Sequence, residues 1–162
     1  GYLNPIMKFG FEAFCQKCVE CGIDGVIIPD LPFKDYEETY KPIADRYDLR
    51  VIMLITPETS ETRVREIDEH TDGFIYMVSS AATTGAQKDF DNQKQAYFKK
   101  IQDMHLRNPR MVGFGISNKQ TFDAACANSS GAIIGSRFVT LLNEAEGDAE
   151  KAITQLKEGL KK

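Results

Sequence analysis

Long apolar runs and an excess of positive charge are both missing from this sequence. No uninterrupted apolar run approaches the roughly 20 residues that a membrane-spanning helix needs, and no stretch has the pattern of a signal peptide. The 24 acidic and 20 basic side chains leave a formal net charge of −4. A mildly acidic chain gives no reason to expect binding to nucleic acid or to an anionic membrane. We therefore expect neither kind of partner.

The cysteines lack the pattern of a metal site or of a disulfide framework. Cys15, Cys18 and Cys21 have the spacing of an iron–sulfur motif, but its fourth ligand and the proline after it are missing. On a helix these thiols would pack among apolar side chains as small buried hydrophobes. Cys126 stands alone, and the two histidines lie in polar surroundings without a ligand or nucleophile pattern. We expect no metal, no disulfide and a reducing cytoplasm.

The stretch Met111–Ser136 carries the strongest indication of a ligand site. Two short apolar runs bounded by glycines predict strands, and a helical segment lies between them. Gly113, Gly115 and Gly135 allow the backbone to approach a ligand closely. Ser117 is a candidate cap for one helix, and the Gly135-Ser136 pair opens the next. Two such loops side by side would aim backbone N–H groups and helix dipoles at one point, which predicts a phosphate site.

Strands and helices alternate along the whole chain. Apolar runs predict strands that start near residues 26, 51, 74, 111 and 132. Alternation of this kind indicates parallel strands with helical crossovers, in either a doubly wound sheet or a (β/α)₈ barrel. Phosphate loops after the last two strands favour the barrel. We expect a single α/β domain over 1–162, an incomplete barrel of about five to six parallel strands.

Two segments do not fit the regular alternation of strands and helices. Tyr2–Pro5 reads as the end of one more strand, and the start at Gly1 without an initiator Met suggests the interior of a longer protein. Residues Ser79–Asn92 are small and polar, and they are too many for a plain connection. A long loop of this composition is typical of an active-site lid.

Six motifs occur in order along the chain and resemble one family. They are Tyr2-x-Asn4-Pro5, Ile28-Pro29-Asp30-Leu31-Pro32, Phe74-Ile-Tyr76-x-Val-Ser79, Thr84-Gly85-Ala86, Gly113-Phe114-Gly115-Ile116-Ser117 and Gly135-Ser136. Together they resemble the tryptophan synthase alpha subunit from its third barrel strand onward, so that the first two βα units would be lacking. The resemblance implies a (β/α)₈ barrel lyase that cleaves indole-3-glycerol phosphate to indole and glyceraldehyde 3-phosphate. It also implies a beta-subunit partner that carries PLP, and no cofactor on this chain.

The resemblance also implies roles for individual residues. The phosphate would be bound by the backbone at Gly85, Gly115, Gly135 and Ser136. Tyr76 would stand beside the catalytic acid, and Thr84 would belong to the lid. The walls of the indole and glycerol pocket would be Phe114, Ile133, Leu54, Ile27 and Tyr2. Positions near the beta-subunit contact would be Asn4, Asp30 and Pro32.

Two departures from the family pattern affect the expected activity. The lid reads Ala82-Thr83-Thr84-Gly85, where the family often has Gly-Val-Thr-Gly. The family's catalytic glutamate and its indole-binding aspartate have no matching position in this chain. Cleavage needs an acid and a carboxylate held close to the reacting atoms, so we expect this chain alone to be inactive.

Two other hypotheses remain open. One is a different phosphate-binding barrel, such as an isomerase or synthase of histidine or tryptophan synthesis. The other is a non-catalytic folding or partner-binding piece, which would keep some phosphate or partner affinity without turnover. We also expect uncovered strand edges and apolar surface to make the chain self-associate.

Overall fold

The computed structural model describes residues 1–79, 87–113 and 115–161, which form two compact units. Unit 1 contains Gly1–Tyr76 and Leu106–Pro109, and unit 2 contains Met77–His105 and Arg110–Lys162. The chain passes from the first unit to the second within one strand. The expectation of a single domain over 1–162 stays a prediction.

Unit 1 alternates short strands with helices. Its elements are α1 (Leu3–Phe9), α2 (Phe11–Glu20), β1 (Gly25–Ile27), α3 (Phe33–Asp35), a π-helical turn (Tyr36–Tyr40), α4 (Lys41–Arg46), β2 (Arg50–Ile52), β3 (Leu54–Ile55), α5 (Glu61–His70) and the first half of β4 (Ile75–Val78). β1 and β2 pair in parallel, with Val26 opposite Val51. Tyr76 N–H donates to the Met53 carbonyl at 3.0 Å, and Ile75 N–H donates to the Pro109 carbonyl at 2.9 Å. The parallel strand pair and its helical crossover follow from the alternation in the sequence.

The core of unit 1 lies where these apolar runs meet the helices. Val51 and Ile55 are almost completely buried on the strand side, and Val64 and Ile67 are buried on α5. Ser60 begins α5 as its N-cap, because its hydroxyl accepts a hydrogen bond from the Arg63 N–H at 3.2 Å. The cap fixes where the helix starts and therefore which of its faces meets the strands.

The sequence suggested that Tyr2–Pro5 is the end of a strand, and this prediction is wrong. Tyr2 has extended backbone, but Leu3, Asn4 and Pro5 form the first turn of α1. Proline is tolerated there because the first N–H groups of a helix have no intrahelical partner. The Leu3 N–H donates instead to the Asp30 carboxylate at 2.8 Å.

The cysteine segment forms α2, with one departure from expectation. Cys15 and Cys18 are buried as predicted, beside the buried Phe11. Cys21 is exposed because α2 ends at Glu20 and Cys21 is already its C-terminal cap, so the helical face does not continue that far. Val19 is also half exposed and does not belong to the buried face.

Unit 2 continues the same alternation. Its elements are the second half of β4, α6 (Gln87–Asp103), β5 (Arg110–Gly113), α7 (Lys119–Cys126), β6 (Gly131–Ile133), α8 (Ser136–Glu144) and α9 (Ala149–Gly159). β5 and β6 are parallel, with Met111 opposite Gly131 and Gly113 opposite Ile133. The last two helices pack through Leu141, Ala145 and Ala152.

Helix α6 begins earlier than the sequence indicated. The expected loop ran to Asn92, whereas the helix starts at Gln87. Its first residues, Gln-Lys-Asp-Phe-Asp-Asn, are mostly polar, so no helical spacing of apolar residues marks the first turns. Throughout the described part of the chain, no helix combines the length and apolar character required to cross a bilayer.

Candidate functional site

The ends of β5 and β6 bring two glycine-containing loops to the same edge of unit 2. Because the strands are parallel and Gly113 lies opposite Ile133, both strands end at this edge. Gly115 and Gly135 each follow two residues after the last paired residue of their strand. We call these segments the β5 loop, which contains Gly115, and the β6 loop, which contains Gly135. Loops at the carboxyl ends of parallel strands are where α/β proteins bind ligands.

Gly115 requires glycine for a conformational reason. Its φ angle is +74°, in the left-handed region that other residues rarely adopt. Apart from its chain neighbours, no atom of the described residues lies within 4 Å of the position that a Cβ would occupy, and the residue is exposed. The backbone of the β5 loop is therefore open to an approaching ligand at this residue.

The β6 loop opens a helix whose first turn has no side-chain cap. Gly135 is the N-cap of α8 and Ser136 is its first residue, as the sequence predicted. The N-terminal N–H groups of a helix and its dipole favour an anion. The φ angle of Gly135 is −102°, a value that other residues also adopt, so this position does not require the backbone freedom of glycine that we expected. Open space around its Cβ position is the feature that it shares with Gly115.

The helix after the β5 loop is capped by its own residues. Asn118, not Ser117, is the N-cap of α7: its side-chain oxygen accepts the Thr121 N–H at 2.9 Å. The Thr121 hydroxyl accepts the Asn118 N–H at 3.2 Å in return, which completes a capping box. Among the described residues, α7 therefore begins with a side-chain cap and α8 begins without one. The Asn-x-x-Thr spacing is the sequence signal that would have identified this cap.

A cleft of about 460 Å³ lies beside the β5 loop in unit 2. It is lined by Ser79, Gly115 and Ile116 together with residues of α6 and α7: Lys94, Gln95, Phe98, Asn118, Gln120, Thr121, Ala124 and Ala125. The Gln95 amide donates to the Ala124 carbonyl at 3.2 Å and ties the two helices together. This cleft gives the edge that carries Gly115 a concave, mostly neutral surface.

In unit 1, Tyr76 lies on the less buried face of β4. Ile75 and Met77 on either side of it are completely buried, whereas Tyr76 is half-buried, as alternation along a strand requires. Burial raises the pKa of its hydroxyl above the usual value of 10.0. The side chain is therefore a neutral phenol over the physiological range, able to donate a hydrogen bond.

The other expected pocket-wall residues lie at strand ends or in the first turn of the chain. Leu54 begins β3, is half-buried, and lines a second cleft, of about 250 Å³, within unit 1. Ile27 ends β1, and its carbonyl accepts a hydrogen bond from the Gly1 nitrogen at 2.9 Å. Ile133 ends β6 and is half-buried. Tyr2 is 67% exposed.

A cluster around Phe33 in unit 1 was not anticipated from the sequence. The Arg63 guanidinium lies 4.9 Å from the centre of the Phe33 ring, and the His70 ring is stacked on that ring at 6.3 Å. Both Phe33 and Arg63 line the cleft that contains Leu54. No sequence spacing marks these contacts, because they join segments 30 or more residues apart.

The residues expected near the beta-subunit contact are all exposed. Asn4 lies in the first turn of α1, and Pro32 directly precedes α3. Asp30 sits in a turn closed by the Leu31 N–H and the Ile28 carbonyl, and its carboxylate caps α1 through the Leu3 N–H. Asp30 thus has a structural role that the sequence did not reveal.

Three of the expected site residues, Thr84, Gly85 and Phe114, lie outside the described residues, as does the altered lid sequence. Within the described ranges, no group of three or more histidine, cysteine, aspartate or glutamate side chains could hold a metal ion.

Comparison with known proteins identifies the family. The family model for tryptophan synthase alpha chain matches residues 1–162. The tryptophan synthase alpha chain of Bacteroides fragilis is 80% identical over 157 residues, which are 97% of this chain and 59% of that relative. The one from Bacteroides thetaiotaomicron is 78% identical over 161 residues, 99% of this chain and 62% of the relative. This chain therefore spans about three fifths of the length of the relatives it matches.

Solved structures agree with this result. The crystal structure of the tryptophan synthase alpha chain from Legionella pneumophila matches with a TM-score of 0.81 and 28% identity, covering 99% of this chain and 61% of that one. This similarity confirms the predicted α/β class, and it confirms that the parallel strands and helices of this chain form part of a barrel. Since one family model matches its full length, this chain belongs to the tryptophan synthase alpha chain family.

Proposed function

We propose that this chain carries the phosphate-binding part of a lyase that cleaves indole-3-glycerol phosphate to indole and glyceraldehyde 3-phosphate in tryptophan biosynthesis. The observation that carries the proposal is the parallel register of Gly113 with Ile133, which puts the β5 and β6 loops at one edge. Backbone N–H groups at Gly115, Gly135 and Ser136 are the proposed phosphate donors. Membership of the family supplies the choice of substrate.

The chemistry of a retro-aldol cleavage explains which groups the site must hold. A proton is delivered to the indole carbon at which the C–C bond breaks, and a glycerol hydroxyl loses a proton as it becomes the aldehyde. These transfers need an acid and a carboxylate positioned near the reacting atoms. Tyr76, as a neutral phenol, is proposed to support the acid, and Ile27, Leu54 and Ile133 are proposed to contact the indole and glycerol parts.

The main proton-transferring groups have no counterpart among the 162 residues, according to the family pattern. We therefore propose that the chain alone releases no indole. The complete reaction would need no cofactor on this chain, and its product would pass to a beta subunit that holds PLP. Exposed Asn4, Asp30 and Pro32 are the proposed contact positions for that subunit.

Complementation tests this proposal directly. Indole release from indole-3-glycerol phosphate is measured for the 162-residue chain alone and after mixing with the part of the Bacteroides fragilis relative that this chain does not match. We expect indole only in the mixture. Indole release by the chain alone would contradict the proposed inactivity.

The same mixture separates the lyase from the other barrel functions. If it shows isomerase activity on a sugar phosphate and no lyase activity, the assignment of the substrate is wrong. If phosphate binds but no mixture turns over, the non-catalytic hypothesis is favoured. A mixture made with the chain variant Y76F tests the proposed role of Tyr76. The substitution removes only the Tyr76 hydroxyl, and we expect it to lower the rate of indole release.

We also propose that the isolated chain self-associates through α1 and α2. Tyr2, which directly precedes α1, exposes 67% of its surface, and Phe9 and Val19 on the two helices expose 58% and 50%; exposed apolar surface is a site where a second copy can bind. Sedimentation velocity at micromolar concentration is expected to show a second copy bound, and the variant F9K is expected to weaken that association. A monodisperse wild-type monomer would contradict the proposal.

The proposed location is the cytoplasm. All four cysteines are free thiols, and burial raises the pKa values of Cys15, Cys18 and Cys126. Thiols of this kind are suited to a reducing compartment.

A further inference from the structure

Ser79 and Gly113 are joined by two hydrogen bonds to one oxygen. The Ser79 N–H donates to the Gly113 carbonyl at 3.2 Å, and the Ser79 hydroxyl donates to the same carbonyl at 2.9 Å. Ser79 directly follows β4 and is only 3% exposed. Both lone pairs of the buried Gly113 carbonyl are therefore occupied by a single residue.

The position of this carbonyl matters because Gly113 is the residue from which the β5 loop departs. A peptide unit is planar, so the direction of the Gly113 carbonyl fixes the plane of the peptide that leaves the strand. Gly115 follows two residues later, and Ser79 and Gly115 line the same cleft. Loss of the hydroxyl would leave one lone pair of a buried acceptor without its donor, and this peptide would then be held by the Ser79 N–H and no longer by two bonds from Ser79.

We propose that Ser79 is a positioning residue for the phosphate site: its hydroxyl holds the Gly113 carbonyl so that the β5 loop presents the Gly115 amide to a phosphate group. The inference rests on the proposed phosphate-binding function and adds a residue to which the sequence motifs gave no role. Ser79 acts through the backbone and does not contact the ligand in this mechanism.

The remaining backbone bond makes the inference testable. In the variant S79A the Ser79 N–H still donates to the Gly113 carbonyl, so the connection between the strand ends is kept. Ser129 offers a matched control in the same unit. Its hydroxyl donates to the Ala125 carbonyl at 2.7 Å and the Gly131 carbonyl at 3.0 Å, but Gly131 begins β6, at the edge away from the glycine loops.

The experiment measures the dissociation constant of inorganic phosphate for the 162-residue chain by calorimetry, together with the urea midpoint of each variant. We expect S79A to raise the dissociation constant by about fivefold, because a β5 loop held by one bond fewer must be ordered as the phosphate binds. We expect S129A to lower the urea midpoint without changing the phosphate affinity. S79T, which keeps a hydroxyl, is expected to restore most of the affinity.

The outcomes separate this inference from the function on which it rests. If wild-type chain binds no phosphate, the proposed phosphate site and the role of Ser79 both fall. If wild type binds phosphate but S79A binds equally well, only the role of Ser79 is overturned. Equal weakening in S79A and S129A would also overturn it, because the effect would then follow stability. Weak binding by folded S79T counts against the hydroxyl as the group responsible.

Discussion

Asn108 donates two hydrogen bonds to one carboxylate oxygen of Asp68, from its backbone N–H at 2.8 Å and from its side-chain amide at 3.0 Å. The other carboxylate oxygen accepts the Arg107 N–H at 2.7 Å. Both Asp68 and Asn108 are buried. This network fastens the segment before β5 to the end of α5 within unit 1.

Removing the Asp68 carboxylate is expected to destabilise the chain strongly. The variant D68A leaves the part-buried backbone N–H of Arg107 and the buried backbone N–H of Asn108 without their acceptor, and we expect a loss of about 2–4 kcal/mol in the free energy of unfolding. Urea unfolding followed by circular dichroism measures it. The control is D103N, at an exposed aspartate paired with Lys99, which should change stability by less than about 0.5 kcal/mol. Equal effects of the two substitutions would contradict the importance of the network.

Alanine at the two loop glycines is expected to have different effects on stability. G115A places a Cβ at a φ of +74° and should cost about 1 kcal/mol. G135A, at a φ of −102° with open space around the Cβ position, should leave the urea midpoint nearly unchanged. The pair is compared by urea unfolding, and a larger loss for G135A would contradict the different backbone conformations of the two glycines.

The cysteines are expected to react in an order set by their burial. Burial, followed by the nearby Cys18, raises the pKa of Cys15 to about 11, so at pH 8 only about one Cys15 in a thousand is a thiolate. Cys21 is exposed. We expect iodoacetamide to modify Cys21 at least about 100-fold faster than Cys15. Peptide mapping by mass spectrometry reads the sites, and in urea all cysteines should react at similar rates. Early labelling of Cys15 in native protein would contradict its burial.

The ion pair of Asp72 with Arg107 is expected to make stability depend on pH at the acid end. The hydrogen bond from the Arg107 guanidinium, at 2.8 Å, lowers the pKa of Asp72 below its usual 3.8. Because the folded-state pKa is the lower one, the stabilisation is present above pH 4 and is lost as the pH falls through the folded-state pKa. Asp72 is 65% exposed, so the contribution is about 0.2–1 kcal/mol.

The measurement compares wild type with D72N in urea at pH 7, 5 and 3. The difference should be largest at neutral pH, shrink at pH 3, and decrease in added salt at pH 7. A difference that stays constant across these pH values would show that the carboxylate charge is not responsible.

The strands could be predicted from the sequence because their apolar runs are short and clearly bounded. The expected starts near 26, 51, 74, 111 and 132 lie within one residue of the observed strands. Helix α1 was missed because only one of its seven side chains is buried, so no apolar spacing marks it, and because its proline favoured a loop. The first turns of α6 were missed because polar residues carry no periodic signal.

The candidate site was predictable only where it depends on local pattern. The β6 loop opening α8 follows from Gly135-Ser136, and the common edge of the two loops follows from parallel strands. The cap supplied by Asp30 and the two hydrogen bonds from Ser79 to the Gly113 carbonyl could not be predicted from the sequence. Each joins residues more than 25 positions apart, and such contacts depend on tertiary packing.

The close packing of α8 against α9 connects the β6 loop to a part of the chain that is remote from the ligand site. Ala145 and Ala152 are buried in one cluster with Leu141, so the two helices approach closely and share a single apolar contact. An anion held at the first turn of α8 would stabilise that helix, and the shared contact would pass part of the stabilisation to α9. Amide hydrogen exchange along α9, where no residue is assigned to the ligand, should therefore slow when phosphate binds.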